Sequence, residues 1–171
     1  MARNIELKAR LTNPVAARHT AGRLATAGPN IEHQRDTYFA VPHGRLKLRE
    51  IVGKPAQLVY YERSDSPDAK ASDYQLLTIA EPNFLREMLT AALGLRIVVE
   101  KRREIFLYHN VRIHLDEVVG LGCFLEFEAV LGNGVDDAKG REQIDFLLGQ
   151  FELSPNDLLS RSYSDMLTND I

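Results

Sequence analysis

The chain has a single cysteine, Cys123, and no tryptophan. A lone thiol excludes an internal disulfide and fits a reducing compartment. No apolar run approaches the roughly 20 residues a helix needs to cross a bilayer, and no segment has the build of a signal peptide, so the expectation is a cytoplasmic protein without a membrane partner. Charge of one sign is also lacking in excess. The 21 Lys and Arg against 24 Asp and Glu leave a formal net charge of -3, which gives no general reason to expect a nucleic-acid partner. Linkers, repeats and low-complexity tracts are absent, and the 171 residues read as one domain spanning 1–171.

What is present is charge sorted by strand. Asn4 to Leu11 alternates strictly, with Ile5, Leu7, Ala9 and Leu11 on one face and Asn4, Glu6, Lys8 and Arg10 on the other. A period of two predicts a strand with one face on a core. Asn13-Pro14 then opens a helix expected to run to Ala27, stopped by Gly28-Pro29. Strands are predicted over Ile31–Val41, Arg45–Arg49 and Gln57–Arg63, and Ser64–Ser72 reads as a surface loop. A short strand over Asp73–Ile79 precedes a helix from Pro82 to Gly94, whose Phe84, Leu85, Met88, Leu89 and Leu93 recur at helical spacing.

Strands over Ile97–Phe106, Val111–Val118 and Phe124–Leu131 follow, then a helix over Asp136–Phe151 with Ile144, Leu147 and Leu148 turned inward. Ser154-Pro155-Asn156-Asp157 has the pattern of a capped terminal helix. Hairpin-length connections imply antiparallel pairing of about eight strands, either open with helices on one face or closed into a barrel.

The polar faces carry the functional argument. Arg45, Lys47 and Arg49 share one face, as do Lys101 and Arg103, whereas Glu126 and Glu128 make a purely acidic face. Solvated sheets favour opposite charges side by side, so like charges at i, i+2 and i+4 suggest a ligand site. Arg and Lys in this number suit a polyphosphate, because guanidinium grips phosphate oxygens in pairs and ammonium supplies a compact charge. Glu6, Glu126 and Glu128 suit a hard divalent cation. His114 reads as a hydrogen-bonded strand residue, Cys123 as packing and Asp136-Asp137 as a helix start. Tyr38 is equally readable as catalytic or as packing.

These pieces resemble a known family, the CYTH proteins or triphosphate tunnel metalloenzymes. Asn4-Ile5-Glu6-Leu7-Lys8 is similar to the family's N-terminal Glu-x-Glu-x-Lys mark. Asp36-Thr37-Tyr38-Phe39, Arg45 to Arg49, Lys101-Arg102-Arg103, Arg112 to Val118, Gly120 to Glu128 and Ser162 to Leu167 follow in the family's order. The resemblance implies an α+β fold: a closed antiparallel eight-stranded β-barrel with flanking helices, whose charged tunnel holds a metal triphosphate. It implies Glu6, Glu126 and Glu128 as ligands of Mg²⁺ or Mn²⁺. It also implies phosphate contacts from Lys8, Arg45, Lys47, Arg49, Arg63, Lys101, Arg103 and Arg112, and catalytic parts for Tyr38, Arg63 and Asp116.

The implied partner is a small-molecule triphosphate: ATP, as in the class IV adenylyl cyclase branch that the segments most resemble, or thiamine triphosphate or tripolyphosphate, as in the triphosphatases. A non-catalytic triphosphate sensor is the third reading. No oligomeric state follows from the sequence, and a homodimer stays open. Two departures stand out. Asn4 replaces the first acid of the mark, removing one negative charge. Arg63 stands where the hydrolase branch has a lysine that helps a tyrosine activate water, and arginine stays protonated.

Overall fold

A computed structural model of the chain describes residues 2–132 and 134–169. There are eight strands, β1 (Ala2–Arg10), β2 (Ala27–Phe39), β3 (Arg45–Ile51), β4 (Ala56–Arg63), β5 (Lys70–Ile79), β6 (Leu95–Tyr108), β7 (Val111–Val118) and β8 (Gly122–Val130), with helix α1 (Pro14–Leu24) after β1, α2 (Pro82–Leu93) after β5, and α3 (Asp137–Gln150) and α4 (Tyr163–Asn169) after β8. The strands close into a barrel in the order β1-β5-β4-β3-β2-β6-β7-β8, and every neighbouring pair is antiparallel. Closure leaves no free sheet edge. No helix among the described residues is long and apolar enough to cross a membrane.

Alternation determines which side of the wall each residue faces, and here the usual arrangement is turned inside out. The apolar faces of β1, β7 and β8 point outward and are covered by helices. Ile5, Leu7, Ile113, Leu115, Leu125 and Phe127 pack with Ala17 and Ala21 of α1 and with Ile144 and Leu147 of α3. Each such buried Leu, Ile or Phe contributes about 1.5–3 kcal/mol relative to exposure, so this external layer is the principal hydrophobic core. A second cluster joins Phe39, Leu48 and Ala56 to Leu85 and Leu89 of α2. Only that side of α2 packs; Phe84 and Met88 remain exposed.

The elements differ from the sequence expectation mainly at their ends. The first helix stops at Leu24 rather than Ala27, because residues from Ala27 onward are drawn into β2 by pairing with β6. Gly28 makes this possible: its φ is +107°, and a Cβ there would sit 2.7 Å from the Ile105 carbonyl. The surface loop expected over Ser64–Ser72 ends early, since Lys70, Ala71 and Ser72 join β5 and pair with Glu6, Ile5 and Asn4. The segment from Ser154 forms only a 3₁₀ turn at Pro155–Asp157, and the terminal helix lies further on, at α4. Asn13 and Asp136 cap α1 and α3, accepting from the backbone amides of Ala16 and Lys139. Cys123 is a free thiol, partly buried.

Helix α3 approaches the barrel closely at Gly140, where a Cβ would meet Leu131 at 2.9 Å and Ile5 at 3.1 Å. Gly140→Val is therefore expected to lower unfolding stability by about 1–3 kcal/mol through overpacking. Gly149→Ala lies in the same helix with nothing within 4 Å of the added carbon, and it should raise stability by about 0.5–1 kcal/mol. Urea titration of both variants checks the pair; similar losses in each would mean that α3 is not seated through Gly140.

Candidate active site

The inward faces of all eight strands line one elongated cavity of about 430 Å³. Register sets opposite charges side by side on its wall: Lys8 beside Glu126, Asp36 beside Arg49, and Arg103 between Glu32 and Asp116. The side chains complete these pairings. Lys8 Nζ lies 2.6 Å from Glu126, and Arg63 donates to Glu6 at 2.7 Å. Arg49 grips Asp36 with two hydrogen bonds of 2.7 Å, while Lys47 donates to the same carboxylate at 2.8 Å. Arg103 holds Asp116 through two bonds of 2.6 Å, and Arg112 meets Glu128 at 3.2 Å. Lys101 is the least engaged of these cations, with Asp116 at 3.5 Å as its one ion-pair partner among the described residues.

The two ends of the cavity differ. One is sealed by the Ser162–Tyr163 segment at the start of α4. Ser162 and Asp165 form a reciprocal cap, with Ser162 Oγ accepting from the Asp165 amide and the carboxylate accepting from the Ser162 amide and hydroxyl. Asp165 is also held by Arg45 at 2.9 Å and Arg96 at 2.8 Å. Tyr163 then projects inward, its hydroxyl donating to Asp116 at 2.8 Å and its ring lying 3.5 Å from Lys8 Nζ. Val99, Val118, Phe124 and Met166 pack around it. The other end opens between Ile51, Gln57, Leu76, Ile105 and Arg112, and Leu76 is exposed there.

Burial pulls Lys101 down to about 7, with Arg103 and Arg49 adding to the effect against Asp116 and Asp36. Burial opposes ionisation of Asp36, but Arg49 and Lys47 outweigh it and hold the carboxyl well below the usual range. Asp116 behaves likewise beside Arg103 and Lys101. Burial raises Tyr38 far above an ordinary phenol, so it stays protonated; its hydroxyl lies 3.4 Å from Lys47 and 3.5 Å from Tyr61. His114 is lowered, chiefly by burial and Arg103, and remains neutral with Nδ1 3.4 Å from Glu126.

Glu6, Glu126 and Glu128 face the cavity together with Asn4, whose buried Oδ1 has no hydrogen-bond partner. Three carboxylates and an orphaned amide oxygen form a donor set suited to a hard divalent cation. The fit is one of chemistry and not of a ready cage, for among the described residues no three His, Cys, Asp or Glu converge as a metal-binding group.

Most residues singled out in the sequence meet on this wall: Glu6, Lys8, Tyr38, Lys47, Arg49, Arg63, Lys101, Arg103, Arg112, Glu126 and Glu128. Two do not line it. Arg45, expected to contact phosphate, instead ties α4 to Asp65 of the β4–β5 loop. Asp116, expected in a catalytic part, faces inward on β7 but is covered by Arg103 and Tyr163, which it holds. Sequence reasoning missed Gln34, Tyr61 and Tyr163. The Ser162-x-x-Asp165 spacing could have signalled the cap that precedes Tyr163, but not what its ring would cover.

The CYTH domain profile matches residues 2–163. The fold is similar to that of the PH1012 protein from Pyrococcus horikoshii, at 25% identity and a TM-score of 0.83 over 95% of this chain and 98% of that one. A candidate adenylate cyclase from Vibrio parahaemolyticus matches at 25% identity and a TM-score of 0.78, over 96% and 97% of the two chains. A candidate adenylyl cyclase from Hippeastrum, described as having a dominant triphosphatase activity, matches at 13% identity and a TM-score of 0.69, over 99% and 96%. Among curated proteins the sequence search finds no match. With the profile spanning nearly the whole chain and the closed barrel shared with these structures, the protein belongs to the CYTH domain family.

Proposed function

We propose that this protein is an enzyme that binds an organic triphosphate together with Mg²⁺ or Mn²⁺ in the barrel and converts it as a class IV adenylyl cyclase does, releasing pyrophosphate. The observation that carries the reading is the cavity wall, where Lys8, Lys47, Arg49, Arg63, Lys101, Arg103 and Arg112 converge within a closed barrel. Arg49, Arg63 and Arg103 are suited to paired contacts with phosphate oxygens, and the lysines to point contacts. Glu6, Glu126 and Glu128, with the Asn4 amide oxygen, would hold the metal, which neutralises phosphate charge and polarises the reacting phosphorus. Asp116 orients Arg103 through two hydrogen bonds.

Intramolecular attack by a substrate hydroxyl suits the residues better than activation of water. Tyr38 is a firmly protonated phenol, and Arg63 cannot accept a proton. Neither can serve as a base, so positioning and charge stabilisation would supply most of the rate. The organic group has a place at the open end, where Ile51, Val59, Leu76 and Ile105 give apolar contact, and the unpartnered Gln34 Oε1 offers an acceptor. The second reading is a triphosphatase, a chemistry named for the Hippeastrum neighbour of the same fold.

Incubation with Mn²⁺ and ATP separates the readings. Cyclic AMP with pyrophosphate is the expected outcome, ADP with phosphate would favour the triphosphatase, and binding without turnover a sensor. Lys101→Ala and Arg103→Ala should each weaken triphosphate binding tenfold or more, about 1.4 kcal/mol, as read by calorimetry on variants whose melting curves show a folded protein. Unchanged affinity in both would remove the tunnel assignment.

Lys101 also predicts a pH dependence with a definite sign. At pH 8 its amine, at about 7, is largely neutral, and a phosphate favours the ammonium form. Binding should therefore take up a proton at pH 8, and affinity should fall as pH rises above about 7. Calorimetry in buffers of different ionisation enthalpy measures that uptake. Lys101→Arg should abolish it while keeping the charge; undiminished uptake in the variant would assign the proton elsewhere.

A further inference from the structure

The carboxylates suited to a metal are not free. Glu6 is held by Arg63 at 2.7 Å. Glu126 is held by Lys8 at 2.6 Å, with Arg103 at 3.5 Å. Glu128 meets Arg112 at 3.2 Å and also receives the Asn4 amide. The remaining cations are held by inward-facing carboxylates that are themselves covered, Lys47 and Arg49 by Asp36 and Lys101 and Arg103 by Asp116. The interior is thus nearly balanced in charge without any ligand. A set of groups that needs opposite partners has found them in one another.

This pairing has a consequence for binding. A divalent cation entering alone would draw Glu6, Glu126 and Glu128 from Arg63, Lys8 and the more exposed Arg112, leaving the buried Arg63 and Lys8 without counter-ions. A triphosphate entering alone would draw the same three cations away and leave buried carboxylates facing one another. Both outcomes are penalised strongly in a low-dielectric interior. If the two ligands arrive together, every group released by one is taken up by the other.

We infer that the metal and the triphosphate bind by partner exchange across the Glu126–Lys8, Glu6–Arg63 and Glu128–Arg112 pairs, so that each ligand raises the affinity of the other. The inference rests on the proposed function for the identity of the two ligands and adds to it a linkage, which must be reciprocal. Asn4 fits this scheme, since its amide oxygen can donate to a metal without requiring a further cation to be displaced. An acid at that position would add a negative charge with no cation of its own on the wall.

The test is calorimetry on the full chain at pH 7, with Mn²⁺ alone, with tripolyphosphate alone, and with each in the presence of the other, corrected for the complex that the two form in solution. The expected result is weak binding of each alone and a gain of about tenfold or more in each affinity, by the same factor. Two variants carry a signature of exchange. Glu126→Gln releases Lys8, so tripolyphosphate without metal should bind more tightly than to the unaltered protein, while Mn²⁺ binds more weakly. Lys8→Met releases Glu126 and should do the reverse. Partial unfolding would weaken both ligands in both variants and cannot imitate opposite shifts. If both ligands bind with a coupling factor near one, or if both variants lose affinity for both ligands while melting as the unaltered protein does, exchange is overturned and the proposed function stands. If tripolyphosphate fails to bind even with Mn²⁺, both fall.

Discussion

Everything in this structure depends on keeping charged groups paired inside a closed barrel. An unpaired carboxylate or ammonium in such an interior costs several kcal/mol, and the wall meets the requirement through register. Strand pairing sets Lys8 beside Glu126, and Asp36 beside Arg49. A one-residue slip in any strand would send its charged set outward and its apolar set inward. The outer hydrophobic layer on α1 and α3 and the inner ionic layer therefore enforce the same register from opposite sides.

Placing the hydrophobic core outside the barrel frees its interior for function. In most small barrels, side chains fill the lumen. Here apolar burial is provided by helices laid over β1, β7 and β8, so the lumen can be wide, polar and about 430 Å³ in volume. Preorganised cations surrounded by low-dielectric walls act on a charge between them more strongly than the same groups in water.

The closed end gives the cavity a direction. Tyr163 lies against Lys8 and Asp116, and its segment is anchored from outside by Arg45 and Arg96 through Asp165. The opening at the other end is rimmed by Leu76 and Ile105. Arg45 shows how a residue that shares a strand face with Lys47 and Arg49 can take a different duty, because the far end of β3 extends to α4 and the β4–β5 loop.

Much of this was legible in the sequence because it is written at a period of two. The alternation in Asn4–Leu11, Arg45–Arg49, Val111–Val118 and Phe124–Leu131 revealed the strands and divided each into a charged and an apolar face, and the sorting of charge by strand marked those faces as a site. The limits of the first helix at Ala25–Ala27 and of the surface loop at Lys70–Ser72 fared less well, because ladder pairing with a distant strand outweighed local preference. What the chain alone could not decide is which acid meets which base. Nothing in the local pattern says that Glu6 will hold Arg63, that Asp116 will be covered by Arg103 and Tyr163, or that Tyr163 will seal one end. Those pairings join residues tens of positions apart and exist only once the barrel closes, because closure and strand tilt decide which inward-facing groups come within a hydrogen bond of each other.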